Sequence, residues 1–153
     1  MFVPVERRYD VDQLRAFTLA VARSVVAAQP DRYTVEMRKA DRGDRLLIDW
    51  SRAGAGQTLV VAWSPRATPT ATVSTPLTWD EVEAGVDPAT FTVPGVLDRP
   101  DPWAGDDLRP QRLEGAAEAL GDAGIELEVI SPRARTSAPR TRRAVTFGDA
   151  PGD

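Results

Sequence analysis

The sequence predicts an α+β fold in which helices flank an antiparallel sheet. Two segments with helical periodicity, one starting at Asp10 and one at Pro110, are separated by short apolar runs that lie between turn residues. The chain has 153 residues, of which 42% are hydrophobic and 27% charged, so it is long enough to bury a core of its own. These observations indicate one globular domain followed by a tail.

The N-terminal region predicts the end of a strand and then a helix. The apolar run Phe2-Val3-Pro4-Val5 is typical of the last part of a strand. Asp10 and Gln13 match a capping box, and Pro30 would end the helix that begins there. The apolar face of this helix is expected to consist of residues at helical spacing: Leu14, Phe17, Val21, Val25 and Ala28.

Three short runs after this helix predict an antiparallel meander. Residues 34–39 and 45–49 are joined by a polar turn, and residues 57–63 follow a second turn that contains glycine. We therefore expect three neighbouring strands that together form the sheet.

The region after the meander is punctuated by proline and threonine. Residues 65–78 predict an ordered or semi-ordered loop, and residues 78–82 predict a short capped helical turn. A second helix is expected over residues 110–120, ending at Gly121 or Gly124.

The domain is expected to cover residues 1–124. Residues 125–130 alternate between apolar and acidic side chains and are a candidate for a short strand. Residues 131–153 contain five arginines and two aspartates and few large apolar side chains. This composition predicts a disordered basic tail.

Composition excludes several classes of chemistry. With no histidine and no cysteine, the chain cannot use a thiol nucleophile, an imidazole or thiolate metal site, or a Ser-His-Asp triad. A net charge of -4 argues against binding nucleic acid through the charge of the whole molecule, although a local basic patch is compatible with it. No apolar run is long enough to span a bilayer and no secretory signal is evident, so we expect a cytoplasmic protein without a membrane partner.

Three residues are candidates for chemistry. Asp49 ends the apolar run Leu46-Leu47-Ile48, where its carboxylate can serve as an oxygen ligand for Mg²⁺ or Mn²⁺. Ser64 and Arg66 follow the third predicted strand, where a hydroxyl and a guanidinium can hold a phosphate. From the residues alone, a turn-capping aspartate and two surface polar residues are the better interpretation.

A series of motifs stands in a fixed order along the chain. The motifs are Phe2-Val3-Pro4-Val5, Arg42-Gly43-Asp44-Arg45, Ile48-Asp49-Trp50, Ser64-Pro65-Arg66-Ala67, Thr75-Pro76-Leu77-Thr78-Trp79-Asp80-Glu81-Val82 and Asp101-Pro102-Trp103-Ala104. By its order and spacing the series resembles the polymerase domain of bacterial ligase D-type end-joining proteins, in the archaeo-eukaryotic primase superfamily. The resemblance runs from residue 1 to about residue 120 and matches roughly the C-terminal half of such a domain.

The resemblance implies roles for the three candidates. Asp49 matches the third catalytic acid of the family, which helps to bind Mg²⁺ or Mn²⁺ during nucleotidyl transfer. Arg66 matches an arginine that contacts the incoming triphosphate, and Ser64 lies in the same nucleotide-binding segment. The implied partners are DNA ends and nucleoside triphosphates, and clustered carboxylates are the ligands that two-metal phosphoryl transfer needs.

The sequence also departs from the family pattern. The family's Asp-x-Asp pair and its Ser-x-Gly-x-His segment would lie before Met1, and this chain contains no histidine. Arg52 and Ala53 stand where glutamine and asparagine are usual, and Gln57 stands where lysine is usual. Ala62-Trp63 replaces Pro-Tyr before the serine. The triphosphate pocket is therefore expected to be altered.

Two main hypotheses follow. The first is a partial or degenerate polymerase/primase domain, linked to DNA end joining and inactive alone, which would need a missing N-terminal half or other end-joining proteins. The second is a non-catalytic module that binds nucleic acid or a protein partner. A third is an unrelated enzyme that uses Asp49 with another carboxylate as acid and base. The first also predicts exposed apolar edges along residues 1–5 and along the meander.

Overall fold

The computed structural model describes residues 2–54, 56–104, 109–130 and 142–147. The chain divides into two compact units, unit 1 with residues 1–57 and 109–153, and unit 2 with residues 58–108. Within the described residues, no helix combines the length and the apolar character needed to cross a membrane. In chain order the elements are α1 (Val11–Ala28), β1 (Tyr33–Thr34), β2 (Leu46–Leu47), α2 (Trp79–Glu83), α3 (Val93–Val96), α4 (Glu114–Asp122), β3 (Glu128–Ile130) and β4 (Arg142–Ala144).

Helices combined with short strands confirm the predicted α+β class. The predicted single domain of residues 1–124 differs from the structure, in which unit 1 joins the N-terminal residues to residues beyond 108. Sequence periodicity reports local structure and carries no information about such a division.

Helix α1 begins at the predicted capping box. The Asp10 carboxylate accepts a hydrogen bond from the Gln13 N–H at 2.7 Å, and the Gln13 side chain accepts one from the Asp10 N–H at 2.9 Å. The buried face of α1 differs from the predicted one, because the helix packs against β3 and against a 3-10 turn at Ser51–Ala53 through small side chains that allow close approach. The buried residues are Ala16, Leu19, Ala20 and Ala22, whereas Val21 and Val25 are each 36% exposed.

Strands β1 and β2 pair in parallel, so the predicted antiparallel pairing of residues 34–39 with 45–49 is wrong. The Leu46 N–H donates to the Arg32 carbonyl at 2.9 Å, and the Ile48 N–H donates to the Thr34 carbonyl at 2.8 Å. A parallel pair requires a crossover connection, and here residues 35–45 supply it as a loop rather than as a hairpin turn.

Two arginines hold this crossover loop together. The Arg42 guanidinium donates to the Glu36 and Met37 carbonyls at 2.9 and 2.7 Å. The Arg45 guanidinium donates to the Arg42 and Asp41 carbonyls at 2.9 and 3.1 Å. These bonds satisfy backbone carbonyls that a hairpin would have paired with a neighbouring strand.

The third predicted strand, at residues 57–63, is absent from the described residues. The backbone there makes no ladder, and the apolar side chains are exposed, with 55% exposure for Leu59 and 70% for Val61. A β-rich sequence does not form a strand unless a neighbouring strand lies beside it.

Helix α4 ends as the sequence predicts but begins later, at Glu114. Gly124 adopts a φ of +75°, its N–H donates to the Gly121 carbonyl, and the Ile125 N–H donates to the Leu120 carbonyl at 2.9 Å. These bonds form a Schellman motif, in which glycine tolerates the left-handed conformation.

Strands β3 and β4 form an antiparallel pair, in which Glu128 lies opposite Ala144 and Ile130 opposite Arg142. This strand lies within residues 125–130, the segment that the sequence marks as a candidate strand. The predicted disordered tail differs at residues 142–147, which contribute β4 and an aromatic contact of Phe147 with Tyr9 and Phe17. The rest of that prediction, at 131–141 and 148–153, falls outside the described residues.

Unit 2 is built from short elements. Its helix α2 lies at the predicted capped turn and begins with a capping box, in which the Thr78 hydroxyl accepts from the Glu81 N–H and the Glu81 carboxylate accepts from the Thr78 N–H at 2.8 Å. The Arg99 guanidinium binds the same Glu81 carboxylate at 2.6 Å and the Pro76 carbonyl at 3.3 Å. These contacts tie α2 to the chain that follows α3.

Candidate functional site

The core of unit 1 fixes the backbone on both sides of Asp49. Trp50 is 9% exposed and packs in a cluster with Leu19 and Ala22, against which Ile48 also packs. The Trp50 indole N–H donates to the Val35 carbonyl at 3.4 Å. Because both neighbours of Asp49 are held by the core, the position of this residue follows from the packing of α1 against the segment that follows β2.

The Asp49 carboxylate caps the 3-10 turn that follows it. One oxygen accepts from the Ser51 N–H at 3.1 Å and from the Ser51 hydroxyl at 2.7 Å. The other oxygen accepts from the Arg52 Nε at 2.9 Å. Both carboxylate oxygens of Asp49 are thus engaged by residues of its own turn.

These contacts favour the ionised carboxylate. Partial burial alone raises the pKa of Asp49, but the hydrogen bonds from Ser51 and Arg52 outweigh burial, and the pKa lies below its ordinary value. A carboxyl whose pKa is lowered on folding stabilises the fold above its unfolded pKa, and this stabilisation is lost as the pH falls through the folded pKa. Asp49 therefore stabilises its turn at neutral pH.

The donor set around Asp49 does not fit Mg²⁺ or Mn²⁺. These cations take about six oxygen ligands, commonly from more than one carboxylate and from water. Here a single carboxylate accepts hydrogen bonds from Ser51 and Arg52, and the Arg52 guanidinium already places a positive charge beside it. Among the described residues, no group of three or more acidic, histidine or cysteine side chains could hold a metal ion.

Ser64 and Arg66 lie on one arm of a small hairpin in unit 2. The Ser74 N–H donates to the Ser64 carbonyl at 2.9 Å, and the Arg66 N–H donates to the Thr72 carbonyl at 2.8 Å. Pro65 forms an antiparallel bridge with Val73. Since alternate residues of a paired segment share a face, the hydroxyl of Ser64 and the guanidinium of Arg66 lie on the same face of this hairpin.

The structure thus brings two of the three predicted site residues together. Ser64 and Arg66 share one hairpin arm, whereas Asp49 belongs to the other unit. Arg66 is exposed and Ser64 is partly buried. A hydroxyl and an exposed guanidinium on one face can bind a phosphate group by charge-assisted hydrogen bonds.

The sequence did not predict the backbone of Trp63, whose φ is +62°. A large side chain rarely adopts this conformation, and no sequence signal marks it here. Trp63 and Pro65 line an apolar cleft of about 370 Å³ in unit 2 together with Val73 and Leu97. Because Pro65 lies between Ser64 and Arg66 and lines the cleft together with its partner Val73, the cleft lies on the opposite face of the hairpin from Ser64 and Arg66.

The sequence matches a known protein family. The family described as LigD, primase-polymerase domain matches residues 1–106. The matched region includes Asp49, Ser64 and Arg66 and ends before α4, β3 and β4. No curated protein matches the chain.

Proposed function

The chain belongs to the LigD primase-polymerase domain family, and on that premise we propose that it is a degenerate member of this nucleotidyltransferase family, linked to DNA end joining, that does not transfer nucleotides by itself. The observation that carries the proposal is the pairing of Asp49 with Ser51 and Arg52. The resemblance gives Asp49 a metal-binding role, yet both of its oxygens serve the turn that it caps.

The chemistry of the reaction supports this proposal. In-line nucleotidyl transfer uses metal ions, held by clustered carboxylates, to stabilise the attacking and leaving oxygens. Asp49 is a single carboxylate, and the Arg52 guanidinium already balances its charge. In this chain, the role of Asp49 is then to order the backbone of residues 49–52.

Primer extension tests the proposal directly. The full chain, incubated with Mn²⁺, labelled nucleotide and a primed DNA overhang, is expected to give no extension product. Asp49→Ala and Asp44→Ala, which removes an exposed aspartate of the preceding loop, should give the same result. Extension by the wild type and by Asp44→Ala that disappears in Asp49→Ala would contradict the proposal.

We further propose that the face of the hairpin with Ser64 and Arg66 binds phosphate groups of a nucleotide or of a DNA end. The support is the shared face of the two side chains and the exposure of Arg66. The net charge of -4 weakens long-range attraction to phosphate, so binding is expected to be weak, with a dissociation constant of about 10⁻⁴ to 10⁻⁶ M, and to depend on salt.

Fluorescence anisotropy on a 5′-phosphorylated overhang measures this binding. Arg66→Ala is expected to weaken it by about fivefold or more, because it removes a charge-assisted hydrogen bond. Arg38→Ala is the matched control, since it removes one exposed arginine from unit 1 and changes the net charge equally. Equal loss in both variants would show that only net charge matters, and would contradict a site at Arg66.

The same assay separates binding by the hairpin from binding by the basic tail. Replacing Arg133, Arg135 and Arg140 by alanine leaves β4 intact, whereas truncation after residue 130 would remove it. If the hairpin carries the affinity, added nucleoside triphosphate should compete and the triple variant should bind as the wild type does. If the tail carries it, the triple variant should lose binding and Arg66→Ala should not.

A further inference from the structure

Arg15 on α1 carries a positive charge that no carboxylate of the described residues balances, and its Nε is buried without a hydrogen-bond partner. Asp12, one turn earlier on the same helix, binds Arg143. Asp49, which precedes the 3-10 turn packed against α1, binds Arg52. A buried donor that meets neither water nor an acceptor costs free energy, so an unpartnered guanidinium in a folded protein calls for an explanation.

The Arg15 side chain is held against the core of unit 1. Its Cζ lies 6.0 Å from the centroid of the Trp50 ring, at the distance of a cation–π contact. Trp50 packs with Leu19 and Ala22, so its ring is a fixed surface for the guanidinium. This contact orients the guanidinium but leaves its charge without an anion. A donor group that is already oriented loses less conformational entropy when a ligand binds.

Gly54 makes room for this arrangement. A Cβ atom at this position would lie 3.4 Å from the Arg15 Cδ and 3.3 Å from the Gln57 Cγ. The φ of Gly54 is -85°, which any residue can adopt, so space and not backbone conformation favours glycine here. The side chains of Arg15 and Gln57 thus both lie on the side of Gly54 where a side chain would otherwise project.

The charge and the donors of these two side chains indicate the class of ligand. A guanidinium carries positive charge and donates several N–H groups, and a carboxamide adds two N–H donors without charge. Such a pair favours an anion with several acceptor oxygens. Phosphate is an anion of this kind, and arginine binds it by charge-assisted hydrogen bonds. The charge of Arg15 repels a cation, and an apolar ligand would leave the donors unpaired.

We propose that Arg15 and Gln57 bind a phosphate group at the Gly54 turn of unit 1. The donors on Arg15 are its two Nη atoms, because Nε is covered by the protein. A bound phosphate balances the charge of Arg15, and Gly54 keeps open the space that the two side chains need. Both a free or nucleotide phosphate and the backbone of a nucleic acid offer this chemistry. The proposal stands independently of the proposed function, since it uses neither Asp49 nor Arg66.

Isothermal titration calorimetry of the full chain with sodium tripolyphosphate, in a phosphate-free buffer of low salt, tests the proposal. Arg15→Gln is expected to weaken binding by about tenfold, because a charge-assisted hydrogen bond is lost. Arg15→Lys keeps the charge and should lose less, although an ammonium lacks the fork of donors of a guanidinium. The titration is repeated in Arg66→Ala, so that this site and the phosphate contact proposed for unit 2 are told apart.

Arg32→Gln is the matched control for Arg15→Gln. The Arg32 guanidinium also lies over an aromatic ring, 5.3 Å from the centroid of Tyr33, and belongs to the same unit, but the residue is exposed. Its replacement changes the net charge equally and should leave the binding of tripolyphosphate close to that of the wild type. Circular dichroism reports whether each variant is folded.

Gly54→Ala tests the place of the site without changing any charge. The added Cβ crowds the side chains of Arg15 and Gln57 and should weaken binding by about threefold or more. Gly121→Ala is its control, because a Cβ there would meet no atom within 4 Å. Unchanged binding in Gly54→Ala would contradict the position assigned to the phosphate.

A single-stranded oligonucleotide without a terminal phosphate, titrated in the same way, shows the source of the phosphate. If Arg15→Gln weakens only tripolyphosphate binding, the site takes a free or nucleotide phosphate. If it weakens oligonucleotide binding, alone or as well, the site takes backbone phosphates. The proposal is overturned if neither probe binds at low salt, if Arg15→Gln binds both as the wild type does, if Arg32→Gln loses as much, or if citrate binds as tightly as tripolyphosphate.

Discussion

Leu19→Ala is expected to lower the free energy of unfolding by about 3 kcal/mol, because truncating a fully buried leucine removes apolar contacts and leaves a cavity. The Leu19 side chain is 2% exposed and packs with Ala22 and Trp50 in the core of unit 1. Urea denaturation followed by circular dichroism measures the loss. Since Trp50 adjoins Asp49, the same substitution should also loosen the capped turn at 49–52.

Val21→Ala is the control for Leu19→Ala. Val21 lies on the same helix and is 36% exposed, so its truncation should cost less than about 1 kcal/mol. An equal loss of stability in the two variants would show that α1 does not bury the face assigned to it. It would then favour the face predicted from the sequence, to which Val21 belongs.

Arg23→Met is expected to cost about 2 to 3 kcal/mol, because it takes a guanidinium away from a carboxylate that is buried. The Arg23 Nη2 lies 2.6 Å from the Glu128 Oε1, and the side chains are 28% and 9% exposed. This pair joins α1 to β3. The partial exposure of Arg23 reduces the effect below that of a fully buried pair.

Arg143→Met is the control for Arg23→Met. Arg143 binds Asp12 at 3.1 Å and also joins α1 to the sheet of β3 and β4, but the two side chains are 69% and 47% exposed. Replacing Arg143 should lower the free energy of unfolding by no more than about 0.5 kcal/mol. The double variant Arg23→Met/Glu128→Leu should recover much of the loss, since apolar residues can replace a buried ion pair. Equal losses of stability in Arg23→Met and Arg143→Met would show that the burial of Glu128 does not make the Arg23–Glu128 pair more important than the exposed pair.

The features that the sequence predicted well are determined locally. The two capping boxes, at Asp10 with Gln13 and at Thr78 with Glu81, depend on residues three positions apart. The end of α4 depends on Gly124, whose left-handed conformation glycine adopts readily. Such patterns leave a direct trace in the sequence.

The features that the sequence missed depend on distant residues. The buried face of α1 is set by β3, which lies about a hundred residues further along the chain, and it uses alanines that a count of large apolar residues overlooks. Strands β1 and β2 pair in parallel, and Arg42 and Arg45 hold the loop between them by contacts with carbonyls that a polar turn pattern does not reveal. Strand pairing is a tertiary property, and short apolar runs do not determine it.

The candidate site also combines features that the sequence predicted with features that it missed. A turn-capping role for Asp49 was the better interpretation from the residues alone, and the structure shows the carboxylate in that role, bonded to Ser51 and Arg52. A catalytic role for Asp49 rests on the resemblance and stays a prediction. The departure at Arg52 was visible in the sequence, but its bond to Asp49 was not. Ser64 and Arg66 were predicted to follow the third strand, which is absent from the described residues, and the two residues lie instead on one arm of a small hairpin.

Unit 1 is held together by contacts between its N-terminal residues and residues beyond 108, and these contacts affect how the chain folds during synthesis. The Glu6 carboxylate binds Arg112, the Tyr9 hydroxyl accepts from the Leu113 N–H at 2.7 Å, and Arg23 meets Glu128. Residues 58–108 are synthesised before these partners, and the contacts of α1 with β3 can form only after residue 130 has been made. Contacts of such long sequence separation slow folding, because a long loop must close before they form. The contacts between the two segments of unit 1 are therefore expected to form late in folding.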